Sequence, residues 1–378
     1  NPKYLSLYDK LLEKQNWQES SLAQAIYGPS GKPGSSFSEL KRYLYQLLLH
    51  ALIDYDKTST PAIQLDHQLQ QCKVLIKRGY YQEAKRRIKR LEGRAKNLEE
   101  WFRVLEIQKL DAQIAEKEED QVDISSINTG TKHLAILENF MRFTNLHLSL
   151  FISVRKYALM RTQDQIEALK KRMEHPLIQQ KNWQSQKAQI LYYRTLSLYA
   201  YSTLDYDRFA QYAQRDFELS QSRYQLYQDD VKNYISSLHN LTLSLGLSNK
   251  IKQVEKILPE YLKIKPITHE ENDSILRRYW GIKSTLMFSR GISSSDIAFL
   301  QEQKKKLHKF QHLSSVTKRI LYFQYCKIHF SLGEYDQALH YLHECIKLLT
   351  APTRRDQQNL YPLLELIIHY ELKNYQLL

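Results

Sequence analysis

The run Tyr322-Phe-Gln-Tyr-Cys-Lys-Ile-His-Phe-Ser-Leu-Gly-Glu-Tyr-Asp-Gln-Ala-Leu339 carries the clearest structural signal in the chain. Its large side chains recur at helical spacing up to Leu332. Gly333 can take the left-handed conformation that ends a helix, and from Tyr335 the helical spacing resumes through Ala338. The reading is two helices folded back on each other through a tight turn. Small residues belong where such paired helices approach closely, because bulk there would push them apart; Cys326 in the first helix and Ala338 in the second fill those places.

The same phrase returns around Gly79, Tyr81 and Ala84, with Cys72 as the small residue of the preceding helix. Weaker copies align Tyr193, Leu196, Ser197, Ala200, Tyr206 and Phe209, then Leu238, Leu241, Thr242, Leu245, Ile251, Val254 and Pro266. The position of the second-helix Ala is taken in turn by Ala84, Ile166, Phe209, Val254, Ile297 and Ala338, at steps of 82, 43, 45, 43 and 41 residues. The first step spans two repeats, so the period averages about 42 residues. From Thr60 onward nearly every segment reads as helix, with breaks near Gly79, Leu204, Asn249, Gly291 and Gly333, and further breaks at His175-Pro176 and Lys265-Pro266. The polar stretch Glu116 to Thr131 reads as a longer surface loop.

An aromatic and a large apolar residue before a small residue, then Gly-x-Tyr-x-x-Ala into the second helix, is a pattern that resembles the tetratricopeptide repeat, in a form with helices about one turn longer than usual. The resemblance spans about Thr60 to the C-terminus, and it is similar in size to the helical sensor and regulator arrays of bacteria. It implies an all-α fold: a right-handed α-solenoid of about six helix pairs over residues 59–378, preceded by a small helical N-terminal unit over residues 1–58. It also implies a concave groove lined by the first helix of each pair, and a non-catalytic scaffold or sensor that binds a protein or peptide there.

Composition agrees with a folded helical chain. The 378 residues include only 10 Gly and 9 Pro, which disfavours all-β folds and Gly-fingerprint nucleotide folds. Three Gly fall together in Gly28-Pro-Ser-Gly-Lys-Pro-Gly-Ser-Ser36, read as a loop between a helix over Leu22 to Tyr27 and one starting at Ser36-Phe-Ser-Glu39. Gly31-Lys32 is not a phosphate loop, since Pro33 stands where Ser or Thr is needed and no strand precedes it. Mean hydropathy is -0.56, and no run of about 18 consecutive apolar residues occurs, so no membrane span is expected. Cys72, Cys326 and Cys345 are too few and scattered for a disulfide framework, which points to a reducing, cytoplasmic setting and to buried, inert thiols. The first residue is Asn1, which leaves room for a leader or an upstream segment.

No catalytic motif stands out, so no enzyme activity and no cofactor are expected. His308-x-x-x-His312 and His340-x-x-His343-Glu344 place pairs of ligands on one helix side, yet neither reaches a metal-site count, and the general-base Glu of His-Glu-x-x-His is missing. The net charge of +14 is spread through the body: six successive blocks of 63 residues carry +1, +1, +6, +1, +4 and +1. Residues 73–96 hold ten Lys or Arg against Glu83 and Glu92 alone, and Lys304, Lys305, Lys306 and Lys309 form a shorter cluster.

Taking first-helix residues at i, i+3, i+7 and i+10 projects Lys73, Arg155, Arg194, His239, Arg278 and Lys327 into the groove, with Phe151, Tyr201, Phe288 and Phe330. Asp66 is the one carboxylate on that list. Such a surface suits an acidic peptide or a free C-terminal carboxylate, held by charge-assisted hydrogen bonds between aromatic contacts. Two other expectations stand beside it: a nucleic-acid-associated transcriptional or signalling regulator using the basic face 73–96, and a signalling regulator with phosphatase-like activity.

Overall fold

The computed structural model describes residues 2–13, 17–56, 60–118, 124–157, 162–227, 230–307, 313–349 and 355–377, with the side chains of 118, 124–129, 155–157, 227, 295, 300, 303–307, 355–359 and 377 left aside. All regular structure among the described residues is helical. The chain divides into two compact units, one of residues 1–98 and 106–121, the other of 99–105 and 122–378. Residues 57–59, where the sequence reading divides the chain, lie outside the described residues.

In the first unit, α1 (Lys3–Glu13), α2 (Glu19–Tyr27) and α3 (Ser35–Asp56) enclose a small core of Leu7, Leu22, Ala23, Phe37 and Leu44. The Gly28 to Gly34 segment joins α2 to α3 as a loop. Gly31 is packed so closely that a Cβ there would lie 2.6 Å from the Ala23 carbonyl oxygen, so only glycine fits. Next, α4 (Pro61–Lys77) pairs with α5 (Tyr81–Asn97). Thr60 caps α4 by accepting the Ile63 amide at 3.2 Å, with Pro61 in the first turn. The pair buries Leu65, Leu69 and Cys72 from α4 and Ala84, Ile88 and Leu91 from α5. The helix α6 (Trp101–Glu118) follows.

The second unit runs through α7 (Ile124–Tyr157), α8 (Gln163–Met173), α9 (Pro176–Gln179), α10 (Gln186–Ser202), α11 (Tyr206–Tyr227), α12 (Val231–Leu247), α13 (Ile251–Ile257) and α14 (Glu260–Lys263). It continues with α15 (His269–Arg290), α16 (Ser294–Leu307), α17 (Ser315–Ser331), α18 (Tyr335–Lys347), α19 (Arg355–Glu371) and a final 3-10 turn. Successive helices pack, as α10 on α11, α11 on α12 and α17 on α18 do. Alternate ones also touch, with α10 against α12, α12 against α15 and α15 against α17.

Within the loop expected over Glu116 to Thr131, residues 116–118 and 124–131 are helical instead, and residues 119–123 lie outside the described residues. α6 continues to Glu118 and α7 begins at Ile124. Propensity yields there to tertiary packing, because later turns of the 34-residue helix α7 bury Phe143, Leu150 and Val154.

One turn geometry recurs. At Gly79, Leu204, Asn249, Gly333 and Lys373, φ is 80, 61, 56, 76 and 58°. In each case the next residue's amide reaches back five positions: Tyr80 to Leu75, Asp205 to Ala200, Lys250 to Leu245, Glu334 to His329 and Asn374 to His369, at 2.8 to 3.0 Å. This is the Schellman closure, which satisfies carbonyls that a helix end would otherwise leave open.

Carboxylates supplied from elsewhere in the unit satisfy the opposite helix ends. Glu99 accepts the Gln186 and Lys187 amides at the start of α10, both at 2.7 Å, and pairs with Arg223, a side chain only 2% exposed. Asp273 in α15 accepts the Ser314 amide at 3.2 Å and the Thr317 hydroxyl at 2.6 Å, fixing the start of α17. Both contacts place a negative charge where the helix dipole favours it.

Candidate functional site

Each residue assigned to the groove has a definite place. Lys73 lies on α4 in the first unit, where its ammonium pairs with Glu106 at 2.6 Å. Phe151 on α7 is 42% exposed and stacks on His147. The side chain of Arg155 lies outside the described residues. Arg194 on α10 is buried. It makes two 3.0 Å bonds to the Asp216 carboxylate of α11 and bonds Asn233 of α12 as well, and the Asp216 charge holds its guanidinium protonated against the cost of burial. Arg194 therefore ties three helices together from inside the fold. Tyr201 packs against Phe209 across the α10–α11 turn.

The remaining residues gather on α12, α15 and α17. His239 and Arg278 line one cavity of 680 Å³, with Thr242, Leu243, Gly246 and Leu247 of α12 and Arg277, Gly281, Ile282, Thr285 and Leu286 of α15. The Arg278 guanidinium donates to the Ser236 hydroxyl at 3.3 Å and has no carboxylate partner among the described residues. Burial pushes it down to about 10, which leaves it charged at neutral pH. Its neighbour Arg277 has a carboxylate, Asp273, 3.8 Å away. Burial, with Arg278 and Arg277 nearby, pushes His239 down to about 3, so its ring is neutral at pH 7. The His239 Nδ1 atom is buried and meets no hydrogen-bond partner among the described residues.

On α17, the Lys327 ammonium sits 5.0 Å from the Phe288 ring centre and 5.4 Å from that of Phe323. No carboxylate pairs with it among the described residues, and burial lowers its affinity for a proton. The two ring faces supply part of the attraction that a carboxylate would otherwise provide, without neutralising the charge. Phe330 packs edge-on against Tyr335.

The sequence register missed four residues of this region: Arg277, Gly246, Gly281 and Phe323. A spacing of three and seven along α15 selects only one of two adjacent arginines. The signal for Gly281 was present, since a glycine inside a long helical stretch calls for a packing or functional reason.

The basic stretch 73–96 forms a second, separate feature within the first unit. Arg86, Arg87, Arg90 and Arg94 of α5 line a concavity of 440 Å³ with Gln68 and Gln71 of α4 and one carboxylate, Glu83. Glu83 bonds Arg87 at 2.7 Å, and Lys96 pairs with Glu92 at 2.8 Å.

The three thiols are buried. Burial pushes Cys326 up to about 12 and raises Cys72 and Cys345 as well, away from the thiolate form that reacts. His343 bonds Glu365 at 2.8 Å and His340 packs on Tyr341, while His308 and His312 lie outside the described residues. Among the described residues no group of three or more His, Cys, Asp or Glu could hold a metal. No described helix is long and apolar enough to cross a membrane. No family model matches the chain, and no curated protein matches it.

Proposed function

We propose that the chain is a non-catalytic binding protein, a right-handed α-solenoid of tetratricopeptide-like hairpins. It takes an acidic peptide, or a segment with a free C-terminal carboxylate, on the face built by α12, α15 and α17. The contacts of α10 with α12, α12 with α15 and α15 with α17 support the solenoid reading, because stacked repeats bring alternate helices together. The binding reading rests on one observation: Lys327 is held between Phe288 and Phe323 without a carboxylate among the described residues. A cation kept half-buried and unneutralised costs stability in the free protein, and an incoming carboxylate would offset that cost. The phenyl rings beside it supply apolar contact for a peptide side chain.

The test is to screen peptides with free and amidated C-termini against the wild-type chain, then against Lys327→Gln. The best free-carboxylate peptide should lose about tenfold in affinity on the substitution, a loss of about 1.4 kcal/mol. Equal binding of the two proteins, with an unchanged melting temperature, removes this face from consideration.

A second reading is carried by the four arginines lining the α5 concavity against one carboxylate. It is the nucleic-acid-associated regulator, which would neutralise phosphates there. Salt-sensitive retention of generic DNA or RNA, abolished by Arg86→Glu with Arg90→Glu, would establish that reading in place of the first.

A further inference from the structure

The cavity between α12 and α15 goes beyond peptide binding. At 680 Å³ it falls within the roughly 300–1,000 Å³ of small-molecule pockets, far more than one side chain occupies. Leu243, Leu247, Ile251, Val254, Ile282 and Leu286 give it an apolar lining. Its charged residues are Arg277 and Arg278, and no Asp or Glu lines it. With Asp273 beside Arg277 and the His239 ring neutral, one positive charge, that of Arg278, is left without a counter-charge among the described residues.

The glycines point the same way. Gly281 sits in the middle of α15 and Gly246 near the end of α12, and a Cβ built on either would meet no atom within 4 Å. Both φ angles lie outside the left-handed range, so neither the backbone nor the packing of the chain demands glycine at these places. Alanine is the better helix former at such positions. What the missing side chains leave is space in the cavity, and His239, whose Nδ1 is buried and meets no hydrogen-bond partner among the described residues, is one of the residues lining it.

We propose that this cavity is a binding site for a small amphipathic monocarboxylate, an acyl chain or similar apolar body whose carboxylate pairs with Arg278 while its tail lies over Gly281 and Gly246. One uncompensated guanidinium matches one negative charge. The apolar lining and the glycine floor match an apolar tail rather than a sugar or a nucleotide. His239 supplies a polar contact to the head group.

The experiment uses the full chain and decanoate as the probe, with 1-decanol and decyl phosphate as comparisons, followed by calorimetry and by the shift in melting temperature. Decanoate should bind saturably and raise the melting temperature, and 1-decanol should bind at least tenfold more weakly. Arg278→Gln should reduce decanoate affinity at least tenfold. Gly281→Leu, which fills the cavity, should do the same; Gly281→Ala should keep or raise the melting temperature and so shows that the position tolerates a side chain. Three results would overturn the proposal: no saturable decanoate binding, binding undiminished in both Arg278→Gln and Gly281→Leu, or tighter binding of the phosphate dianion than of the carboxylate. Because Lys327→Gln tests the peptide face and Gly281→Leu tests the cavity, either reading can fail while the other stands.

Discussion

Leu204 occupies a backbone conformation that glycine takes at Gly79 and Gly333. Its φ is 61°, a region costing a side chain about 1 kcal/mol or more. Leu204 is also 50% exposed, so little packing offsets that strain. Leu204→Gly should therefore stabilise the protein by about 0.5–1 kcal/mol, read as a rise in the urea midpoint without a change of slope. A fall in the midpoint would mean that the Leu204 side chain holds more than its exposure suggests. Asn249 and Lys373 make the same turn. This explains why the repeats differ so much in legibility. The turn is common to all five copies, but only Gly79 and Gly333 announce it by residue type, while the others encode it through the surrounding helices.

Among the elements, α17 and α18 carry the clearest phrase in the sequence, and they allow a graded test. Leu342 is completely buried, so Leu342→Ala should cost about 2–4 kcal/mol. Tyr335 lies half-exposed at the start of α18, with its ring edge-on to Phe330, so Tyr335→Ala should cost about 1 kcal/mol. Chemical denaturation of the two variants checks the ordering, and equal losses would contradict it. The same contrast shows how far helical periodicity reaches. It identifies which residues of an element face inward, as with Cys326, Ala338 and Leu342. It does not report what the facing element contributes. Arg194 was assigned to the groove because nothing within α10 reveals that Asp216 and Asn233 wait for it on α11 and α12. The helical start of α7 was hidden for a similar reason, since the apolar residues that stabilise it lie several turns further along.

At the scale of the whole molecule, two histidines contribute to the response to acid. Burial pushes His147 down to about 4 and His239 down to about 3, below the value of about 6.5 in an unfolded chain. The unfolded state thus binds more protons than the folded one between these values. Stability from this source is fully present above about pH 6.5 and is lost as the pH falls toward 4 and 3. At pH 5 each histidine should account for about 1–2 kcal/mol of destabilisation. Denaturant midpoints at pH 7 and pH 5 measure the loss, and His239→Gln should flatten the slope. A wild-type profile that is level over this range would count against the burial of both rings.

Most hydrogen bonds between repeats in the second unit close over similar distances along the chain: Arg278 to Ser236 spans 42 residues, Ser284 to Gln324 spans 40 and Asp273 to Thr317 spans 44. Glu99 breaks that rule, reaching 87 and 88 residues to the start of α10 and 124 to Arg223. During synthesis the short spans can each close soon after their second partner leaves the ribosome. The Glu99 carboxylate, made early, meets its first partners only when α10 has emerged and its last, Arg223, only with α11, so the second unit cannot reach its final form one hairpin at a time from its first residue onward.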